Sequence, residues 1–216
     1  MHCSIRRRRV FAILTIAVAS FFGLTGIAAA GEPTSQLKRH VDEVVKVLQS
    51  PELQKEQKAD ERRVAVRKVA EQIFDFEETA KRALGRHWQS RTPAERQEFV
   101  KLFTDLLEHA YISKIDQYHG EKIAYGAETI EGDQATVKTR IVTPKGSEIP
   151  IDYRMRRADR GWLVYDVIIE GVSLVSNYRT QFNKVIQTGS YADLVQKLRA
   201  RAFSGPEQPA SSGRKS

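Results

Sequence analysis

Three stretches decide the fold: ATVKTRI over residues 135–141, IPIDYRM over 149–155 and WLVYDVII over 162–169. In the first, Ala135, Val137, Thr139 and Ile141 alternate with Thr136, Lys138 and Arg140. In the second, Ile149, Ile151, Tyr153 and Met155 alternate with Pro150, Asp152, Arg154 and then Arg156. A period of two is that of a strand with one buried face. The third stretch is apolar at nearly every position, as expected of a strand covered on both sides. Turn residues Pro144-Lys145-Gly146 and Asp159-Arg160-Gly161 separate them.

Three-residue loops at both turns fix a register. Ile141 then faces Ile149, Thr139 faces Ile151, and Val137 faces Tyr153. On the far side of that strand, Met155 faces Leu163, Tyr153 faces Tyr165, Ile151 faces Val167, and Ile149 faces Ile169. This register gathers the apolar side chains on one face, and a slip of one residue would put arginines there. The opposite face carries Lys138, Arg140, Arg154 and Arg156. Ile123 and Tyr125, before the turn Glu131-Gly132-Asp133, add a strand. The expectation is a curved antiparallel meander of four strands, one face apolar and one basic.

Helical periods flank the strands. Leu37, Val41, Val44, Val45 and Leu48 mark one helix over 34–49, stopped by Ser50-Pro51. Val66, Val69, Ala70 and Ile73 mark a second over 62–74. Asp75 with Glu78 resembles a capping box, opening a short helix closed by Gly85. Thr92-Pro93-Ala94-Glu95 is the clearest helix start, and Phe99, Phe103, Leu106, Leu107, Ala110 and Tyr111 share a face behind it. After Gly171 the chain returns to helix through Tyr178, Phe182, Val185 and Ile186. Ser190 caps a last helix through Leu194 and Leu198. The fold class is therefore α+β, a sheet packed against several helices. Residues 204–216 are rich in Gly, Pro, Ser and charge and read as a disordered tail.

The first 30 residues read as a signal peptide. Arg6, Arg7, Arg8 and Arg9 precede an uncharged run from Val10 to Ala30 that ends in Ala28, Ala29 and Ala30. The run is also about 20 residues long, enough to span a bilayer as an anchor. Gly23, Thr25, Gly26 and the alanines weaken its second half and favour cleavage. A chain so exported works in the periplasm. Cleavage leaves 31–203 as one domain plus the tail. The four arginines leave with the leader, taking the net charge from +8 to +4, which does not demand nucleic acid. Cys3 is the only cysteine and leaves too, so the mature chain has neither disulfides nor thiol chemistry.

No catalytic motif stands out. His40, His87, His109 and His119 lack metal-ligand spacing, and there is no HExxH, GxSxG, P-loop or dinucleotide fingerprint. The sequence thus names no cofactor and no metal. Asp166 is the one acid inside the most apolar strand. It is either a base with a raised pKa or the partner of Arg154 or Arg140; the register above favours pairing. The remaining feature is a surplus of large apolar side chains on facing elements, compatible with a filled core or with a cavity.

The stretch from Trp162 through Glu170-Gly171-Val172-Ser173 to Arg179 resembles the hallmark of the MlaC, or toluene-tolerance, family. So do Leu84-Gly85-Arg86-His87-Trp88, the Thr92-Pro93 helix start, Phe99 to Tyr111, and Gly189-Ser190-Tyr191-Ala192-Asp193-Leu194. The resemblance spans roughly residues 34–200. It implies a periplasmic phospholipid carrier working between an inner-membrane ABC transporter complex and an outer-membrane lipoprotein complex. It also implies an apolar pocket between sheet and helices that holds acyl chains. Related carriers are linked to hopanoids, so the lipid stays open. Facing apolar positions nominate the lining: Phe76, Leu84, Trp88, Phe99, Phe103, Leu106, Ile151, Tyr153, Tyr165, Val167, Ile169 and Val172. Two rivals remain. One is an enzyme of the cone-shaped isomerase or dehydratase type, which needs an acid or base facing the cavity. The other is a structural adaptor with a filled core.

Overall fold

A computed structural model of the chain describes residues 31–116 and 118–203, the side chains of residues 112–116 excepted. The expected leader (1–30) and tail (204–216) lie outside the described residues. Four helices come first: α1 (Glu32–Gln49), α2 (Ala59–Ile73), α3 (Phe76–Leu84) and α4 (Pro93–Asp116). Five strands follow: β1 (Lys122–Glu131), β2 (Gln134–Val142), β3 (Glu148–Ala158), β4 (Gly161–Ile169) and β5 (Val172–Ser173). Helices α5 (Leu174–Thr188) and α6 (Tyr191–Arg199) close the chain.

The helix starts follow their capping chemistry. Asp75 Oδ1 accepts from Glu78 N at 3.0 Å. Thr92 N donates to Glu95 Oε2 at 2.7 Å, while Glu95 N donates back to Thr92 Oγ1 at 3.3 Å, a reciprocal box. Ser173 and Ser190 cap α5 and α6 by accepting from Ser176 N and Asp193 N.

The sheet is an antiparallel meander in the order β1-β2-β3-β4-β5. It has one strand more than the four expected: Glu170 (φ 50°) and Gly171 (φ 84°) make a two-residue turn that folds Val172–Ser173 back onto Ile168 and Ile169. Between β2 and β3 the register is the expected one, Ile141 on Ile149, Thr139 on Ile151 and Val137 on Tyr153. A three-residue loop closed by Thr143 N donating to Ser147 O at 2.9 Å sets it.

Between β3 and β4 the register differs. The turn there has two residues, not three, because Ala158 already pairs with Gly161. That moves the pairing by one, so Val164 rather than Leu163 meets Met155. A bulge between Arg154 and Met155 then restores the alternation further on, where Tyr153 meets Val167 and Ile151 meets Ile169. Val167 and Ile169 keep the expected face with shifted partners. Tyr165 sits at the bulge, opposite no apolar residue of β3.

Two separate cores result. Helices α1 and α2 cover one sheet face, enclosing Leu37, Ile73, Ala135, Val137, Met155, Trp162 and Val164. The second core is made by helices and the Trp88 turn between α3 and α4: Ala80, Ala83, Leu84, Trp88, Phe99, Phe103, Leu106, Tyr178, Phe182, Leu194 and Leu198. Its rings meet edge-on or offset; Phe103 and Phe182 have centroids 5.2 Å apart at 82°.

The two cores join along the outer edge of β4. Asp75 N donates to Val164 O at 2.8 Å, and Thr79 Oγ1 to Tyr165 O at 3.0 Å. Two acids lock this seam. Asp75 caps α3 and accepts from Arg156 Nε at 2.6 Å. Asp166 accepts from Val175 N (3.1 Å) at the start of α5, from Ser173 Oγ (2.6 Å) and from Arg154 Nη1 (3.3 Å). The paired reading of Asp166 is therefore the structural one: Asp166 of β4 takes Arg154, Asp75 at the start of α3 takes Arg156, and Arg140 pairs with Glu148 at 3.2 Å.

Candidate functional site

The sheet face under α1 changes character along its length. Near Trp162 the side chains are closed off: Trp162, Met155, Val137 and Val164 are at most 1% exposed. Toward the far end three rows cross the strands. One joins Ile123, Ile141 and Ile149. The next joins Tyr125, Thr139, Ile151, Ile169 and Val172. The third joins Val137, Tyr153 and Val167. Here Ile123, Tyr125, Ile141, Ile149, Tyr153, Val167, Ile169 and Val172 are only half-buried. Val41, Val44, Val45 and Val47 of α1 are half-buried as well.

Tyr153 reports what kind of surface this is. Burial pushes its phenol up to about 12. Its side chain nevertheless keeps accessible surface. In its row Tyr153 stands between the fully buried Val137 and the half-buried Val167, at the border between the closed and the half-buried parts of the face. Neighbouring Tyr125 is pushed upward too, first by burial and then by the negative charge of Asp42 and of an ionised Tyr153. The Tyr125 hydroxyl is buried with no hydrogen-bond partner.

The sequence-nominated lining residues fall into three groups. Ile151, Tyr153, Val167, Ile169 and Val172 are brought together on this sheet face. Leu84, Trp88, Phe99, Phe103 and Leu106 are not; they lie in the helical core, each 5% exposed or less. Phe76 is half-buried and stacks on Phe74 at 5.6 Å. Tyr165 goes to a polar depression of about 310 Å³ with Thr129, Glu131, Gln134, Thr136 and Arg154. There its ring lies 4.0 Å from the Arg82 guanidinium and its hydroxyl 3.3 Å from Gln134 Oε1. The two-residue turn and the bulge are the physical reason it leaves the apolar rows.

Ile123, Tyr125, Ile141 and Ile149 belong to the rows but were not nominated. Their signal was available, since the strand alternation puts each in phase with Ile151. Among the described residues no three His, Cys, Asp or Glu side chains converge as a metal site needs. Nor is any described helix long and apolar enough to cross a membrane.

The sequence profile of the MlaC protein family matches residues 38–200. The chain belongs to the MlaC family. That agrees with the motifs of the β4–α5 stretch and the Leu84–Trp88 segment. The chain is 22% identical over 203 residues to the intermembrane phospholipid transport system binding protein MlaC of Haemophilus influenzae, covering 92% of this chain and 95% of that one. It is 24% identical over 127 residues to the toluene tolerance protein ttg2D of Pseudomonas putida, covering 54% and 59%. Among solved structures, it resembles a phospholipid-binding protein of Ralstonia solanacearum, determined in complex with a phospholipid. The TM-score is 0.70 at 28% identity, over 79% of this chain and 97% of that one. The MlaC fold is thus shared over nearly the whole length of that relative.

Proposed function

We propose that this MlaC-family chain is a periplasmic phospholipid carrier. It accepts lipid from or delivers it to an inner-membrane ABC transporter complex and an outer-membrane lipoprotein complex, and so maintains the lipid asymmetry of the outer membrane. The observation that carries the reading is the apolar sheet face on which Tyr153, Val167, Ile169 and Val172 are half-buried beside the buried Ile151. An acyl chain of about 14 carbons left bare in water forgoes roughly 10 kcal/mol, at about 0.8 kcal/mol per methylene. A carrier must therefore offer a hydrocarbon surface that is sheltered but not filled. The relatives whose names or ligands specify phospholipid support the same ligand class.

The sheltered rows form the proposed lining. The closed aromatic residues of the helical core, Phe99 and Phe103 among them, act as the rigid wall behind α3, α4 and α5. Asp166, the acid weighed for the enzyme reading, is turned away from the rows. Asp166 lies in register with Arg154, on the face opposite the apolar rows, and its oxygens are taken by Ser173, Val175 and Arg154.

Lipid mass spectrometry of the purified protein, followed by uptake from liposomes, tests the proposal. Stoichiometric phospholipid is expected. Val167→Glu and Ile169→Glu, which put a carboxylate among the rows, are expected to empty the protein. A lipid-free protein that takes up nothing from liposomes would sink the carrier reading.

A further inference from the structure

Two phenols stand on the apolar rows without a protein acceptor. Tyr125 Oη is shut off from solvent and has no hydrogen-bond partner. The Tyr153 phenol, on the neighbouring row, makes no side-chain hydrogen bond among the described residues, and the residue is half-buried. The two are close enough for charge on Tyr153 to act on Tyr125. Buried tyrosine hydroxyls ordinarily find a partner, and one left alone is costly. Thr139, between them in the rows, turns its hydroxyl to Ile151 O at 2.8 Å and is not the partner of Tyr125 Oη. Phenols are protonated at neutral pH, and burial pushes both further that way, so each is a donor.

A hydrocarbon tail has nothing to offer such donors. A carbonyl oxygen does. Resting on the carrier reading above, we infer that Tyr125 and Tyr153 donate hydrogen bonds to the ester carbonyls of the bound lipid, so that the face selects ester-linked chains over ether-linked or plain hydrocarbon ones.

The surroundings fit that depth. The Lys38 ammonium lies 5.8 Å from the Tyr125 ring and pairs with Asp42 at 2.8 Å, both of them at least half exposed. This charged pair marks a rim beside Tyr125, where a polar headgroup meets water. From Tyr125 the row crosses the sheet through the buried Thr139 and Ile151 to Ile169 and Val172, over four strand spacings, roughly 19 Å. That is the order of an extended acyl chain. Headgroup at the rim, esters at the tyrosines and tail along the row is one consistent order.

The test is competition. Delipidated protein is offered vesicles holding equal amounts of a diacyl phosphatidylethanolamine and its dialkyl-ether counterpart of equal chain length. Bound lipid is then counted by mass spectrometry. The native protein is expected to favour the ester by about tenfold, the scale of one or two net hydrogen bonds. Tyr125→Phe and Tyr153→Phe should each reduce that ratio, and together bring ester binding down to the ether level. Tyr178→Phe removes another unpartnered buried hydroxyl, but in the helical core, and should leave the ratio alone. A native ratio near one, or a double variant that keeps the native ratio, overturns the inference and leaves the carrier reading standing. Uptake of neither lipid overturns the carrier reading, and this one with it.

Discussion

Asp166 shows how one side chain holds two parts of this molecule together. It is 4% exposed, caps the start of α5 through Val175 N, and takes Arg154 from β3. Loss of a helix cap costs about 1 kcal/mol, and a charged hydrogen bond contributes about 1.5–3 kcal/mol. Asp166→Ala should therefore lower stability by about 2–3 kcal/mol in urea unfolding. Asp166→Asn should cost less, since its remaining oxygen still accepts from Val175 N. The buried phenols give a different signature. Tyr153 and Tyr178 are pushed from 10.0 up to about 12 by burial, so the folded state favours their neutral form. A raised folded value contributes stability fully below the unfolded value and loses it as pH rises through the folded one. Stability should hold to about pH 10 and fall progressively toward pH 12, with phenolate absorbance rising together with loss of helical signal. Tyr153→Phe should keep a larger share of its neutral-pH stability across that window. An equal decline in both proteins would contradict it.

The turn between β3 and β4 decides which side chains reach the half-buried apolar face. Gly161 closes it at φ 101°, and a Cβ there would run into Gln36 Oε1. That same oxygen accepts from Trp162 N at 2.9 Å and ties α1 to the sheet. Gly161→Ala should cost about 1–3 kcal/mol through backbone strain and the displaced Gln36, visible as a lowered thermal midpoint. This turn also marks where the sequence stops being legible. Pro144-Lys145-Gly146 has one good solution, and the β2–β3 register follows from it together with the alternating residues on both sides. Asp159-Arg160-Gly161 accommodates two-residue and three-residue closures. In β4 every position from Trp162 to Val164 is apolar, so no polar side chain penalises the wrong choice. A bulge at Tyr165 leaves no compositional trace, and it sends this one nominated residue to the polar side. The helix starts were readable because capping is local chemistry. The partition of Phe99 and Phe103 from the sheet was not, because a helical apolar stripe does not say which partner it faces.

At the scale of the whole molecule, the closed packing and the proposed binding face sit in different cores. The helical core is closed: Phe99, Tyr178 and Phe182 are 0% exposed and Phe103 1%. The sheet face under α1 is closed at its Trp162 end and half-open at its Ile149 end. The proposed carrier needs this division. A face that must admit and release a chain cannot also be the tightly packed mass that holds the fold, since close packing and an open hydrocarbon track exclude each other at one site. The seam locked by Asp75–Arg156 and Asp166–Arg154 lets the helical core support β4 without filling the rows. The two kinds of damage should therefore separate. Phe182→Ala removes a ring that packs on Phe99, Phe103, Tyr178 and Phe203. It should cost about 3–5 kcal/mol, while the protein that remains folded still carries phospholipid. Val167→Glu places its charge on a half-buried position and should cost far less stability, yet abolish lipid occupancy. Denaturation midpoints and bound-lipid mass spectrometry on the same two preparations decide the matter. Lipid loss in Phe182→Ala at temperatures where it is fully folded would mean that the helical core itself reaches the ligand, and the binding face would have to be redrawn to include it.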